Sequence, residues 1–283
     1  MRRSIKLTLL TTIVVCMVGS SLFAWQWGRG GRRGRDPNDR GGVPVWDVSP
    51  RFKSDTFTFA RVRYSDGSNR WGGRGGREGR WTIDMPDSDL NFSLRLQQIT
   101  SLKVNPHPVV VDLDSPELFD YPFIYMIEPG NLYFSEPEVA GLRKYCLNGG
   151  FMMVDDFWGD HAYRVFYEQI KRVFPEREPQ DVPLEHEIFQ CVYPLTEKPQ
   201  IPSIGGDWQY GITWEEGHGS DTRTPNYRAI YDDEGRIMVF ICHNTDLGDG
   251  WEQEGVHEEY FREFSVKKSY PLGINIVTYA MTH

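Results

Sequence analysis

Four short apolar runs constrain this chain more than any other feature. They are Pro108–Leu113 (PVVVDL), Pro122–Ile127 (PFIYMI), Phe151–Asp156 (FMMVDD) and Arg236–His243 (RIMVFICH). A strand wetted on one face alternates apolar and polar residues, whereas these runs barely alternate and so must be covered on both faces. Helical patterns lie between them. Asp87–Thr100 spaces Leu90, Leu94 and Phe92, Leu96, Ile99 for a helix. Ser135-Glu136-Pro137-Glu138 reads as a helix start, with a Ser cap, an early proline and acids in the first turn, and Gly149-Gly150 ends that helix after Leu147. Asp160 is expected to cap a helix with Tyr163, Phe166, Tyr167, Ile170, Val173 and Phe174 on one face, and Pro271 to open a closing helix. Phe57–Tyr64 alternates as a half-buried strand does. The expectation is an α/β fold: a mostly parallel sheet with helices on both faces, in one domain over residues 55–283. Ligands of such sheets bind at the carboxyl ends of the strands. Asp155-Asp156 and His243 stand there.

The first 24 residues have a different character. Arg2, Arg3 and Lys6 precede an apolar run from Leu7 to Phe23, followed by Ala24. That is the layout of a secretory signal peptide, or of an N-terminal anchor if it is retained. It predicts an exported protein, periplasmic or otherwise extracytoplasmic, that meets the membrane only through residues 1–24. Loss of those residues removes three positive charges and takes the net charge from −9 to −12. Three cysteines remain, Cys146, Cys191 and Cys242. An odd count builds no disulfide framework, and the expectation is three buried thiols.

Charge divides sharply along the chain. Residues 25–80 carry 13 Lys/Arg against 6 Asp/Glu, and residues 81–283 carry 15 against 34. Two Gly/Arg tracts, Gly28–Gly42 and Arg70–Arg80, supply the basic part and cannot pack a core. Residues 25–54 read as a flexible linker and the second tract as an exposed loop. Arg/Gly tracts can bind RNA. An exported protein with an acidic body meets little of it, so nucleic acid is not the expected partner. An envelope protein, a glycan or an anionic envelope surface is.

Several segments resemble one bacterial family, the domain of unknown function 4159 family. They are FTFARVRY (57–64), Asp-Leu-Asn-Phe (89–92), FDYPFIYM (119–126), Leu-Arg-Lys-Tyr (142–145), NGGFMMVDDFWGD (148–160), LEHEIF (184–189) and PLGINIVTYAM (271–281). The resemblance implies a fold like flavodoxin-like proteins and class I glutamine amidotransferases, with members exported or membrane-tethered and no assigned activity. True amidotransferases place a nucleophilic Cys on a tight turn after a central strand. Here that turn reads Asp155-Asp156-Phe157-Trp158-Gly159, and Asn244-Thr245-Asp246 follows the late His243. Glutamine hydrolysis is therefore not expected.

The remaining polar residues leave two readings open. Asp155, Asp156, His186 and His243 are candidate acid/base groups, and Asp155, Asp156, His186, His243 and Asp246 together are candidate ligands of a divalent zinc, manganese or iron ion. No HxxxH, HExxH or CxxC spacing accompanies them. Equally, Asp156, Trp158, His161, His243, Asn244 and Asp246 could form a polar binding edge, with Trp208, Trp214 and Trp251 as stacking faces for a sugar or peptide. The first reading is a metal-assisted or acid/base hydrolase of an envelope saccharide or amide. The second is a non-catalytic binding or assembly module. His218 and His257, in Gly- and Glu-rich loops, read as solvated.

Overall fold

Seven strands form one sheet in the computed structural model, which describes residues 39–66, 79–215 and 220–283. In chain order they are β1 (Ala60–Arg63), β2 (Val109–Asp112), β3 (Phe123–Ile127), β4 (Phe151–Phe157), β5 (Gln180–Asp181), β6 (Asn226–Tyr231) and β7 (Ile237–His243). Across the sheet the order is β2-β1-β3-β4-β7-β6-β5. The five from β2 to β7 run parallel, and β6 and β5 add an antiparallel edge. The 2-1-3-4 start is the flavodoxin-like order, so the expected α/β class is the observed one. The short strands β5 and β6 were not anticipated. Their residues are only partly apolar and lie in the loop-like stretch before β7.

The helices are α1 (Asp87–Ile99), α2 (Glu136–Leu147), α3 (Gly159–Val173), α4 (Leu247–Glu252) and α5 (Tyr270–Thr282), the last preceded by a π-helical stretch, Phe261–Ser269. The expected cap of α2 is present in full: Ser135 Oγ accepts from the Glu138 amide and Glu138 returns a bond to the Ser135 amide. Asp160 does not cap α3. The helix starts one residue earlier, at Gly159, with Trp158 at the cap position.

Period-two alternation in the central strands sorts the core into two layers. Tyr125, Ile127, Met153, Phe240 and Cys242 pack with Phe59, Phe92, Trp251 and α5. Ile124, Met126, Met152, Val154, Val239 and Ile241 pack with Leu142 of α2 and Phe166 and Ile170 of α3. Every residue of β3, β4 and β7 is buried, which is why these runs carry no polar alternation.

The packed body begins at Arg40, before the sequence-based boundary at 55. Trp46, within the stretch read as linker, donates its indole N–H to the Val104 carbonyl at 2.7 Å. Most of both Gly/Arg tracts, residues 1–24 and His218 lie outside the described residues. Among the described residues no helix is long and apolar enough to cross a membrane. Cys146, Cys191 and Cys242 are free thiols; the first and last are buried and Cys191 is half-buried.

One helix contact leaves no room for a side chain. A Cβ on Gly141 of α2 would fall 1.9 Å from the Leu113 carbonyl oxygen. Because backbone cannot move aside as a rotamer does, Gly141→Ala is expected to cost about 1–3 kcal/mol despite alanine's better helix propensity. Urea denaturation followed by circular dichroism measures this, and unchanged or raised stability would contradict the close approach.

Candidate functional site

The sheet's parity decides which strand-end residues meet. Met152 and Val154 face α2 and α3, so Met153 and Asp155 face α1 and α4. Asp155 is fully buried there, and its Oδ2 accepts hydrogen bonds from Tyr125 Oη (3.1 Å) and the Gly248 amide (3.0 Å). Burial pushes its pKa up to about 7, against the pull of those two bonds. Its Oδ1 meets no partner at full hydrogen-bond geometry, and the Asp156 and Leu247 amides act on the carboxyl as weaker hydrogen-bond donors that lower its pKa.

Asp156 leaves the strand in a left-handed conformation (φ 54°) and accepts from Trp158 Nε1 at 3.1 Å. Asp246 caps α4 by accepting from the Asp249 amide at 2.7 Å. Asp84 joins them from the β1–α1 connection, left-handed at φ 61°. That connection is pinned by Arg61 of β1, whose Nη1 donates to the Trp81 and Ile83 carbonyls at 3.1 and 2.9 Å. Asp84, Asp156 and Asp246 are all buried, and one carboxylate oxygen from each lies within 4.8 Å of the others. A second group, Asp84, Asp249 and Glu252, meets the same distance condition through the same Asp84. Burial raises the pKa values of Asp156 and Asp246 well above the carboxylate range, and the neighbouring acids add to it: Glu128 and Asp84 for Asp156, Asp156 and Asp249 for Asp246.

Among the described residues, four non-glycine residues have positive φ: Asp84, Glu128, Asp156 and Asn244. Asp156 is the last but one residue of β4, and the other three lie in the connections that follow β1, β3 and β7. Backbone strain gathers at this edge of the molecule, as it does around sites where side chains must be aimed.

The structure thus brings Asp155, Asp156 and Asp246 together, and adds Asp84, Asp249 and Glu252. Sequence reasoning missed the last three. Asp84 is 20 or more residues past the strand it follows, with no motif around it. Asp249 and Glu252 read as a charged turn. The histidines are elsewhere. His243 belongs to the opposite face, between the rings of Phe157 and Tyr163 with centroids 5.0 and 5.1 Å away. Its Nε2 lies 3.1 Å from the Gly159 carbonyl, which can only accept, so Nε2 carries the proton and the buried Nδ1 has no partner. His186 caps a turn by accepting from the Ile188 amide and packs 5.8 Å from the Tyr279 ring. Tyr279 Oη in turn accepts from the Ile237 amide, at the amino end of β7. His186 and His243 therefore mark opposite ends of that strand.

The other candidates have structural partners. Asn244 Oδ1 accepts from the Gly159 amide, and its Nδ2 donates to the Asp221 and Thr224 carbonyls, which ties three loops together. His161 is exposed on α3. Trp158 holds Asp156, as above. Trp251 is a core residue packed on Phe92, Tyr125 and Phe59. Trp208 packs on Tyr260 and Phe264, and Arg223 lies over Trp214. His257 caps a short helix through Nδ1 and meets the Trp208 ring.

Residues 58–281 match the family described as a domain of unknown function (DUF4159), which is most of the chain and all of its central sheet. The chain belongs to that family. A search of curated proteins finds no match to it. The DUF4159 match spans the β1–α1 connection, the turns after β3, β4 and β7, and α4, so the whole carboxylate centre lies within the family domain.

Proposed function

We propose that this DUF4159 protein is an exported module of the cell envelope. It binds a polar ligand at the carboxyl edge of its sheet and does not turn it over. The scaffold is amidotransferase-like, without the amidotransferase thiol. One observation supports this reading: the carboxyl end of central strand β4 presents Asp156 in a left-handed conformation (φ 54°), near the place where those enzymes carry their cysteine. The thiols have no claim to the role. Cys146 is buried against the Met238 carbonyl and pushed up to about 12, and burial raises Cys191 and Cys242 as well. The signal-like residues 1–24 support export. The acidic edge favours ligands that donate hydrogen bonds, as sugars and peptides do.

The test is binding without turnover. Soluble saccharide and peptide fragments of envelope polymers are titrated against the purified chain by calorimetry, and the ligand is then recovered and analysed. Saturable binding with intact ligand is expected, weakened about tenfold or more by Asp156→Asn, roughly the loss of one charge-assisted hydrogen bond. Steady product formation would sink the reading, as would failure of every such fragment to bind.

A second reading has its own support. Asp155, held at about 7, is a carboxylic acid poised to exchange a proton near neutral pH, as a hydrolase's acid/base group must be. It predicts turnover in the same experiment, lost in Asp155→Asn.

A further inference from the structure

Two buried polar atoms on the α3 face of the sheet have no hydrogen-bond partner among the described residues. One is His243 Nδ1. The residue is only 3% exposed, and with the Nε2 proton given to the Gly159 carbonyl the other ring nitrogen is purely an acceptor. The second is Arg228 Nη1, which is purely a donor. Arg228 Nε is taken by Asp181 Oδ1 at 3.2 Å.

The sheet register brings the two side chains to one place. Strands β6 and β7 pair antiparallel, Asn226 opposite His243 and Arg228 opposite Ile241. Paired residues share a face, and so do residues two apart along a strand, which makes Arg228 and His243 diagonal neighbours on one face. Both then pack on the same ring. The Arg228 guanidinium lies 4.5 Å from the centre of Tyr163 and the His243 imidazole 5.1 Å from it. The Arg228 charge is near enough to disfavour protonation of the imidazole. A buried acceptor and a buried donor that pack on one ring without bonding each other call for a group that both donates and accepts.

We infer that His243 Nδ1 and Arg228 Nη1 together bind one hydroxyl group of a saccharide. A hydroxyl donates to the imidazole and accepts from the guanidinium through a single oxygen. A trans peptide group does not, because its N–H and C=O point in opposite directions. An anion fits no better. It would set lone pairs against the lone pair of Nδ1, and Asp160 and Asp221 near the imidazole and Asp181 on the arginine already supply negative charge. The Arg228 side chain is 25% exposed and Tyr163 is half-buried, so rotation of these two side chains opens a path from solvent. The inference rests on the binding function proposed above and narrows its ligand from a sugar or peptide to a sugar, received at the carboxyl end of β7.

The test adds mono- and oligosaccharides of glucose, galactose and N-acetylglucosamine to the full chain labelled with 15N-histidine, with propionamide as a primary-amide control. The His243 ring signals are those that vanish in His243→Phe. A saturable upfield shift of the Nδ1 resonance is expected with at least one sugar. Calorimetry should show that sugar bound about fivefold or more weakly by His243→Phe and by Arg228→Met, the cost of a buried hydrogen-bonding group left unmatched. Arg228 stands at the half-exposed rim, so its variant serves if the histidine variant does not fold. An Nδ1 signal indifferent to every sugar, which is what a bound water alone would give, overturns the inference. So does sugar affinity unchanged in both variants, or a shift produced by propionamide and by no sugar. The two readings fail separately. Sugar that binds intact but leaves Nδ1 unmoved sinks only the hydroxyl site. Sugar that moves Nδ1 and is then turned over sinks only the non-catalytic function.

Discussion

Arg61→Met is expected to destabilise the fold by about 3–5 kcal/mol, the usual cost of removing one partner from a buried ion pair. In a domain of this size that lowers the melting temperature by about 10 °C. Arg61 has no solvent exposure and Asp89 only 2%. The guanidinium grips Asp89 of α1 through Nε and Nη2, donates to Ser88 Oγ at 2.8 Å, and uses both Nη1 hydrogens on backbone carbonyls. Its plane also lies 5.1 Å from the centre of the Tyr125 ring. Methionine fills the volume but leaves the buried Asp89 carboxylate with the Ser88 hydroxyl (3.0 Å) and no counter-charge, and takes the Arg61 donors from two carbonyls. The damage reaches the site, because the two carbonyls flank Thr82 in the connection that carries Asp84.

The double variant Arg61→Met with Asp89→Leu separates charge from packing. With neither ion present no charge is left uncompensated, so the pair should cost less than Arg61→Met alone. Thermal melts of the three variants and wild type complete the cycle. If the double variant is as unstable as the sum of the singles, the two side chains do not act as a pair.

The fold was legible because burial on both faces writes itself into composition. FIYMI, FMMVDDF and IMVFICH are buried at every position, and a run of that kind has few alternatives to an interior parallel strand. The cap at Ser135 was legible because it is local, four residues satisfying their own backbone. The site was legible only in part, for a geometric reason. Strand ends point to a place, but which side of the sheet each residue takes depends on parity and register. Asp155 and His243 both end central strands. His243 shares the parity of Val239 and Ile241 and so lies against α3, while Asp155 shares that of Met153 and faces α4. Asp84 was invisible for another reason. A buried arginine holds its loop in place, and no spacing in the sequence announces a contact between residues 61 and 83.

His243 makes stability depend on pH in a direction that can be worked out. Burial holds its pKa down to about 4, against an ordinary value near 6.5, while its bond to the Gly159 carbonyl pulls weakly the other way. The folded state therefore keeps the ring neutral over a range in which the unfolded chain protonates it. The stability this residue contributes is whole above about pH 6.5 and is lost as the pH falls toward 4, by about 3 kcal/mol in total. Asp155 runs the opposite way. Its folded pKa near 7 makes the protonated fold the stable one, so its contribution is lost as pH rises from about 4 to 7, and Asp156 and Asp246, raised by the same burial, add to that slope. The wild-type curve mixes these effects, and comparison with His243→Phe isolates the histidine. Phenylalanine keeps an aromatic ring between Phe157 and Tyr163 and cannot titrate. Urea denaturation in chelator at pH 7.5, 5.5 and 4.5 should show the variant gaining on wild type by about 3 kcal/mol from the highest pH to the lowest. A difference that stays constant over this range would mean that His243 is protonated in the fold near its ordinary pH, and that its Nδ1 has a partner after all.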